Sequence, residues 1–414
     1  LDVVYNHIGP EGNYLNDFGP YFTGRYCTPW GKALNFDGPH CDPVRSYFIE
    51  NALYWIRELE IDALRLDAIQ MIFDISARPF LAELAAAVHP EAERLGRPVY
   101  LFGETNQNDV RQVRSREAGG LGLDAVWNDD FHHSLQALLT GERISVYEDH
   151  GSVENFAKAY RQGFVLTGQY SKVLKRRHGS CSRGVDASCF VVFAQNHDQV
   201  GNRLYGERLA ELASLEQLKL GAAALLLSPY VPLLFMGEEY GESAPFQYFV
   251  DHEDAALNDR VYQGRLQDHP EWIREDERPP VPASKSTFRR SRLRFDRRRE
   301  GEHKLLWEFH RELLRLRREL SPLRKLDNNR QQVEYAEDAK WLVVRRREDQ
   351  AETLALFHFG ESPREVQVAA AGGTWSKQLD SADPRWGGDG GGAADVIEAE
   401  QQLKTLVAAH SATM

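Results

Sequence analysis

Ala63-Leu64-Arg65-Leu66-Asp67 is a short apolar run that ends on a charge, and the same pattern recurs along the chain. Leu1-Asp2-Val3-Val4-Tyr5-Asn6 runs into His7, Val99-Tyr100-Leu101-Phe102-Gly103 into Glu104, and the run 190–195 into Asn196-His197-Asp198. Near-continuous apolar runs of this length mark strands buried on both faces. Short strands are also predicted at 125–128 and 231–236. Between them lie helical patterns at 44–59 (Phe48, Ala52, Trp55, Ile56), 80–88, 215–227 and 304–318. The breaker Gly96-Arg97-Pro98 sets up the third strand. Strand and helix in alternation mean a parallel sheet, either doubly wound or closed as a barrel. The count reaches six strands, and Leu1 already lies in mid-strand. Two more strands are therefore expected upstream. The expected fold class is α/β: a (β/α)8 TIM barrel lacking its first two strands, followed by a small antiparallel β-sandwich domain.

The 414 residues suit one large domain plus a smaller one. The formal net charge of −12 argues against a nucleic-acid partner, whose phosphates need a basic face. The four cysteines show no CxxC pair and no zinc spacing, so no disulfide framework is expected. The most apolar run, 221–237, is interrupted by Pro229 and Pro232 and predicts no membrane span. With no leader-like opening, the expectation is a soluble, cytoplasmic protein. After Asn328 the character changes to short β-rich segments at 333–335, 341–344, 354–359 and 366–368. Residues 1–327 are thus expected to form the catalytic barrel, with 8–43 an extended loop, and 328–414 a C-terminal β-domain. The basic stretch 285–299 reads as a solvated linker, and the glycine-rich stretch 387–392 as a loop.

In a parallel barrel the C-terminal strand ends share one face, where active sites form. Asp67, Glu104 and Asp198 are therefore expected to converge. Cleaving a glycosidic bond needs a carboxylic acid for the leaving oxygen and a carboxylate for the oxocarbenium-like centre. Arg65 lies two residues before Asp67, on the same strand face, and can hold it ionised as a nucleophile. Glu104 has no such partner in its own strand and is the candidate for a raised pKa. Metal binding is another reading of carboxylates beside histidines, but neither HExxH nor CxxC spacing occurs.

The runs around Asn6-His7, Leu64-Arg65-Leu66-Asp67, Gly103-Glu104 and Asn196-His197-Asp198 resemble, in order, the four signature regions of the α-amylase superfamily. The resemblance implies Asp67 as nucleophile, Glu104 as general acid/base and Asp198 as transition-state stabiliser. It further implies that His7, Arg65, Asn196 and His197 contact the nucleophile or the sugar, with Asp2 supporting Arg65. Longer stretches are similar to the maltooligosyltrehalose trehalohydrolase family: 7–15, Thr28-Pro29-Trp30-Gly31, 127–133, 195–203, 235–242 and 380–388. That likeness implies retaining hydrolysis of the α-1,4 bond beside a terminal trehalose, with the two carboxyl groups about 5 to 5.5 Å apart. It implies a maltooligosyltrehalose or related α-glucan partner, no cofactor, no metal and no membrane; it does not give an oligomeric state. Trp30, Phe246 and Phe249 are candidate sugar-stacking rings. The competing readings are an isoamylase-type debranching enzyme, a glycogen branching enzyme, or an inactive glucan-binding fragment.

Overall fold

The computed structural model describes residues 1–268, 270–274, 277–390 and 392–414. The barrel-type alternation is present. In chain order it comprises β1 (Asp2–Val3), α1 (Asp42–Arg57), β2 (Ala63–Leu66), α2 (Phe80–Leu95), β3 (Tyr100–Gly103), β4 (Ala125–Trp127), α3 (Asp129–Thr140), α4 (Val153–Gln162), β5 (Phe190–Phe193), α5 (Leu215–Leu226), β6 (Val231–Leu233), α6 (Ala255–Asp268) and α7 (Gly301–Glu319). Six strands form one sheet in the order β1-β2-β3-β4-β5-β6. The pairs from β1 to β5 are parallel, with Asp2 opposite Arg65, Leu66 opposite Gly103 and Trp127 opposite Val191. The chain falls into two compact units, 1–129 with 166–191, and 130–165 with 192–414, and passes between them within β5.

Several strands stop one residue short of the expected charged end, for a consistent reason. The N–H groups of Asp67, Glu104 and Asn128 still donate the last ladder bond, to the carbonyls of Val3, Leu66 and Val191 respectively. The backbone then turns, and each polar side chain leaves the sheet at its rim. β1 is shorter still than the expected 1–6, because Asn6 turns its side chain onto Asp67.

In the first unit α1 buries Val44, Phe48, Ala52 and Ile56, one stripe at i, i+4 spacing, among Leu64, Leu66, Phe80 and Leu84. α2 runs on past the expected 80–88 despite Pro90, to a left-handed Gly96 cap. An internal proline costs about 3 kcal/mol. Burial of Ala92, the glycine cap and the pairing of Glu91 with Arg57 and Arg94 offset it. Residues 8–43, expected as an extended loop, contain a hairpin, Phe22–Thr28 against Gly31–Leu34.

In the second unit Ser214 and Gln217 form a capping box that starts α5. Buried Lys219 donates to the Ser381 and Trp386 carbonyls, and Arg317 to those of Leu226, Ser228 and Tyr230. The same unit holds β7 (Gln331–Ala336), β8 (Trp341–Glu348), β9 (Ala351–His358), β10 (Arg364–Ala369), β11 (Gly373–Ser376), β12 (Val396–Ala399), β13 (Gln402–Val407) and β14 (Ser411–Thr413). β7-β8-β9-β14 form an antiparallel sheet, and β10-β13 and β11-β12 form pairs. Val343, Leu356, Val366, Val368 and Leu403 pack between them. The stretch 285–299 is no plain linker: it holds a Ser284-capped helix, Lys285–Arg290, and Arg294 pairs with buried Glu242. In the loop 387–392, Gly387 adopts φ 76°, whereas Gly391 lies outside the described residues. Among the described residues, no helix is long and apolar enough to cross a membrane.

Phe48→Ala is expected to destabilise the protein by about 3–5 kcal/mol, read from urea unfolding. Burial lowers the imidazoles of His132 and His310 to about 4. Between pH 6.5 and 4 the unfolded chain binds protons there that the native chain does not, so stability falls as the pH drops through that window. Urea midpoints measured at pH 7 and pH 5 are expected to show this loss, and His310→Leu to shrink it.

Candidate functional site

The first unit builds its cluster around one guanidinium. β2 sends Arg65 and Asp67 to the same face, and the parallel register sets Asp2 opposite Arg65. Arg65 Nη1 lies 2.6 Å from Asp67 Oδ1 and 2.8 Å from Asp2 Oδ1, and Nη2 lies 3.4 Å from Glu104 Oε2. Arg65 is 7% exposed, and its guanidinium carbon sits 4.5 Å from the Trp127 ring centroid. Glu104 has no cationic partner in its own strand, but Arg65 reaches it across the sheet. One cation therefore orders both proposed catalytic carboxylates.

A backbone donor aims Glu104. Ala68 has φ 37° and turns its N–H onto Glu104 Oε2. Gly103, just before Glu104, lets Ile69 and Leu123 pack close to the strand: a Cβ there would sit 2.7 Å from Ile69 Cδ1 and 2.9 Å from Leu123 Cδ1. Asn6 Nδ2 donates to Asp67 Oδ2 at 2.7 Å and also to the Asp67 carbonyl. Asn6 Oδ1 meets His7 Nδ1 at 2.5 Å. Burial lowers the His7 pKa below its ordinary value, against the opposing pull of Asp67. The turn of the hairpin delivers Trp30, half exposed, to stack on His7 at 4.0 Å and 8°.

The second unit holds the other candidates. Asn196 caps the short helix His197–Gly201, its Oδ1 accepting from Gln199 N at 2.7 Å. It is buried, so its side chain serves the backbone that carries His197 and Asp198. His197 Nε2 lies 3.5 Å from Asp198 Oδ2, and Tyr248 donates to Asp198 Oδ1 at 2.7 Å. Phe246 packs edge-on to Phe235 and Tyr248, whereas Phe249 packs against Phe288. Phe246 is thus joined to Asp198 through Tyr248, and among these ring contacts Phe249 has none with that group.

Reading the sequence alone missed Trp127 as the ring behind Arg65, Ala68 as a donor to Glu104, and Tyr248 as the partner of Asp198. Trp127 ends a strand, as Asp67 and Glu104 follow theirs, and that was a usable signal. The other two depend on turns that no periodicity reports.

Arg65→Met is expected to destabilise the protein by about 3–5 kcal/mol at pH 7, because it strands Asp2, Asp67 and Glu104 together. Protonation relieves that repulsion, so the deficit against the parent is expected to narrow towards pH 4 in urea unfolding. An unchanged deficit would mean that the arginine acts through packing alone.

No family model matches the chain. The malto-oligosyltrehalose trehalohydrolase of Saccharolobus solfataricus is 43% identical over 372 residues, covering 89% of this chain and 61% of that protein. Its counterpart from Arthrobacter ramosus is 42% identical over 333 residues, covering 79% of this chain and 57% of that one. A crystal structure of a candidate alpha amylase from Salmonella typhimurium matches all of this chain and 66% of its own, with a TM-score of 0.83 and 33% identity. The chain spans about three fifths of the length of the curated relatives it matches. The chain thus carries an α-amylase-type α/β fold and is a sequence relative of the malto-oligosyltrehalose trehalohydrolases.

Proposed function

We propose that the protein is a retaining glycoside hydrolase that cleaves the α-1,4-glucosidic bond beside the terminal trehalose of maltooligosyltrehalose. The observation that carries this reading is the shared guanidinium of Arg65, which orders a carboxylate on β2's end and a second on β3's end. The names of the relatives supply the substrate class.

Asp67, held by Arg65 and Asn6, attacks the anomeric carbon of the maltooligosyl unit. Protonated Glu104 gives its proton to the glycosidic oxygen, and trehalose leaves as that bond breaks. An ester between Asp67 and the sugar remains. Glu104, now a carboxylate, takes a proton from water as the water oxygen bonds to the anomeric carbon. The ester bond breaks, the maltooligosaccharide departs and Asp67 is again ionised. Asp198 is read as the stabiliser of the oxocarbenium-like centre, with Tyr248 and His197 holding its carboxylate. His7 with Trp30 is read as a sugar-contacting pair, Phe246 as an aromatic wall and Asn196 as a positioning residue. Phe249 is the weaker candidate, since it packs on Phe288. We read the enzyme as acting on soluble α-glucan in the cytoplasm.

The test is a product assay on maltooligosyltrehalose and on plain and branched maltooligosaccharides. Free trehalose is the expected product, and Asp67→Asn or Glu104→Gln is expected to lower the rate roughly 10⁴-fold or more. Cleavage of plain or branched glucan with no trehalose would replace the reading with an amylase or debranching activity.

A further inference from the structure

A second cluster of ligating groups lies away from these carboxylates. Asp130 and His133 stand one turn apart on α3, and His150 follows the 3₁₀ turn Ser145–Asp149. One oxygen of Asp130 and one ring nitrogen from each histidine lie within 4.8 Å of one another. His150 Nε2 is 3.8 Å from Asp130 Oδ1, and the two imidazole centroids are 5.3 Å apart. Asp130 and His150 are buried, an uncommon place for a carboxylate beside two imidazoles.

We propose that Asp130, His133 and His150 bind one divalent transition-metal ion of the zinc class. Three donors, one carboxylate oxygen and two imidazole nitrogens, are a zinc-type set with a fourth position for water. Zinc–donor bonds of about 2.0–2.2 Å set neighbouring ligand atoms about 3.4 Å apart. The 3.8 Å pair is already close to that spacing, and side-chain rotation closes the rest.

The surroundings supply the outer hydrogen bonds that ligands of this kind use. His150 Nδ1 meets Ser134 Oγ at 3.1 Å; donating there, it leaves the Nε2 lone pair on the Asp130 side. Asp130 Oδ2 accepts from Val165 N at 2.6 Å, which fixes the carboxylate and leaves Oδ1 facing the cluster. His133 also hydrogen-bonds Gln199, on the helix that carries His197 and Asp198. A metal here would brace that helix through Gln199; it has no part in the bond-breaking steps above.

The test uses the whole protein, stripped with a chelator and titrated with Zn²⁺ and separately with Co²⁺. The expected results are one equivalent per chain, a Co²⁺ visible spectrum of nitrogen and oxygen tetrahedral type, and a raised thermal midpoint. His133→Gln, His150→Gln and Asp130→Asn are each expected to weaken Zn²⁺ at least tenfold. Ser134→Ala, which leaves all three ligands in place, is expected to weaken it about 10–100-fold. Should the ligand variants fail to fold, the parent titration and Ser134→Ala still decide. Failure to bind one equivalent, or affinity unchanged by Ser134→Ala in that case, overturns the proposal. So does unchanged affinity in folded ligand variants. A thiolate charge-transfer band also overturns it, since none of the three donors is a cysteine.

Discussion

The chemistry of the first unit depends on a single buried cation. Arg65 meets Asp2, Asp67 and Glu104, which come from three different strands or strand ends. Without it these carboxylates would repel one another or take up protons, because like charges in a partly buried site disfavour the ionised form. The parallel register enforces the arrangement, and a one-residue slip would send Arg65 to the opposite face of the sheet. Trp127 closes the flat side of the guanidinium, and Asn6 ties Asp67 to the turn after β1. The site is therefore a property of the sheet's pairing, and the loops add aromatic surface such as Trp30.

The second unit applies the same principle with neutral partners. Lys219 and Arg317 are carried into the interior on helices and discharge their hydrogen bonds onto backbone carbonyls. Burying a cation is costly unless its donors are satisfied, so these carbonyls lock the helices to the segments that offer them. The short helix bearing His197 and Asp198 is likewise held by its cap, by Tyr248 and by the Gln199 contact with His133. The proposed metal site extends that support one layer deeper.

Much of this was legible in the residues. The strands β2, β3 and β5 and the helices α1, α5 and α7 are signalled by apolar runs and i, i+4 stripes, which depend only on neighbours along the chain. The four motifs at strand ends carried the resemblance to the α-amylase superfamily. Less was visible where a local signal opposes the tertiary one. Pro90 reads as a stop, yet α2 continues because the residues beyond it are buried and paired. α3 opens with Asp129-Asp130 and contains His132-His133, a polar composition that hides a mostly buried helix. The hairpin before α1 was missed because its register is broken between Thr23 and Cys27.

By itself the sequence determined the alternation of strand and helix, the change to β-structure after Asn328, and which carboxylates stand at strand ends. Those are consequences of side-chain spacing along one element. Only the tertiary structure decided which charges share a partner. Arg65 is two residues from Asp67 in sequence, but its contact with Glu104 needs β2 and β3 in register. The contact of Glu104 with Ala68 needs a left-handed turn. The grouping of Asp130, His133 and His150 needs the chain after α3 to fold back. Electrostatic interactions act through space at distances of a few ångströms, and sequence separation gives no measure of that distance until the backbone is paired.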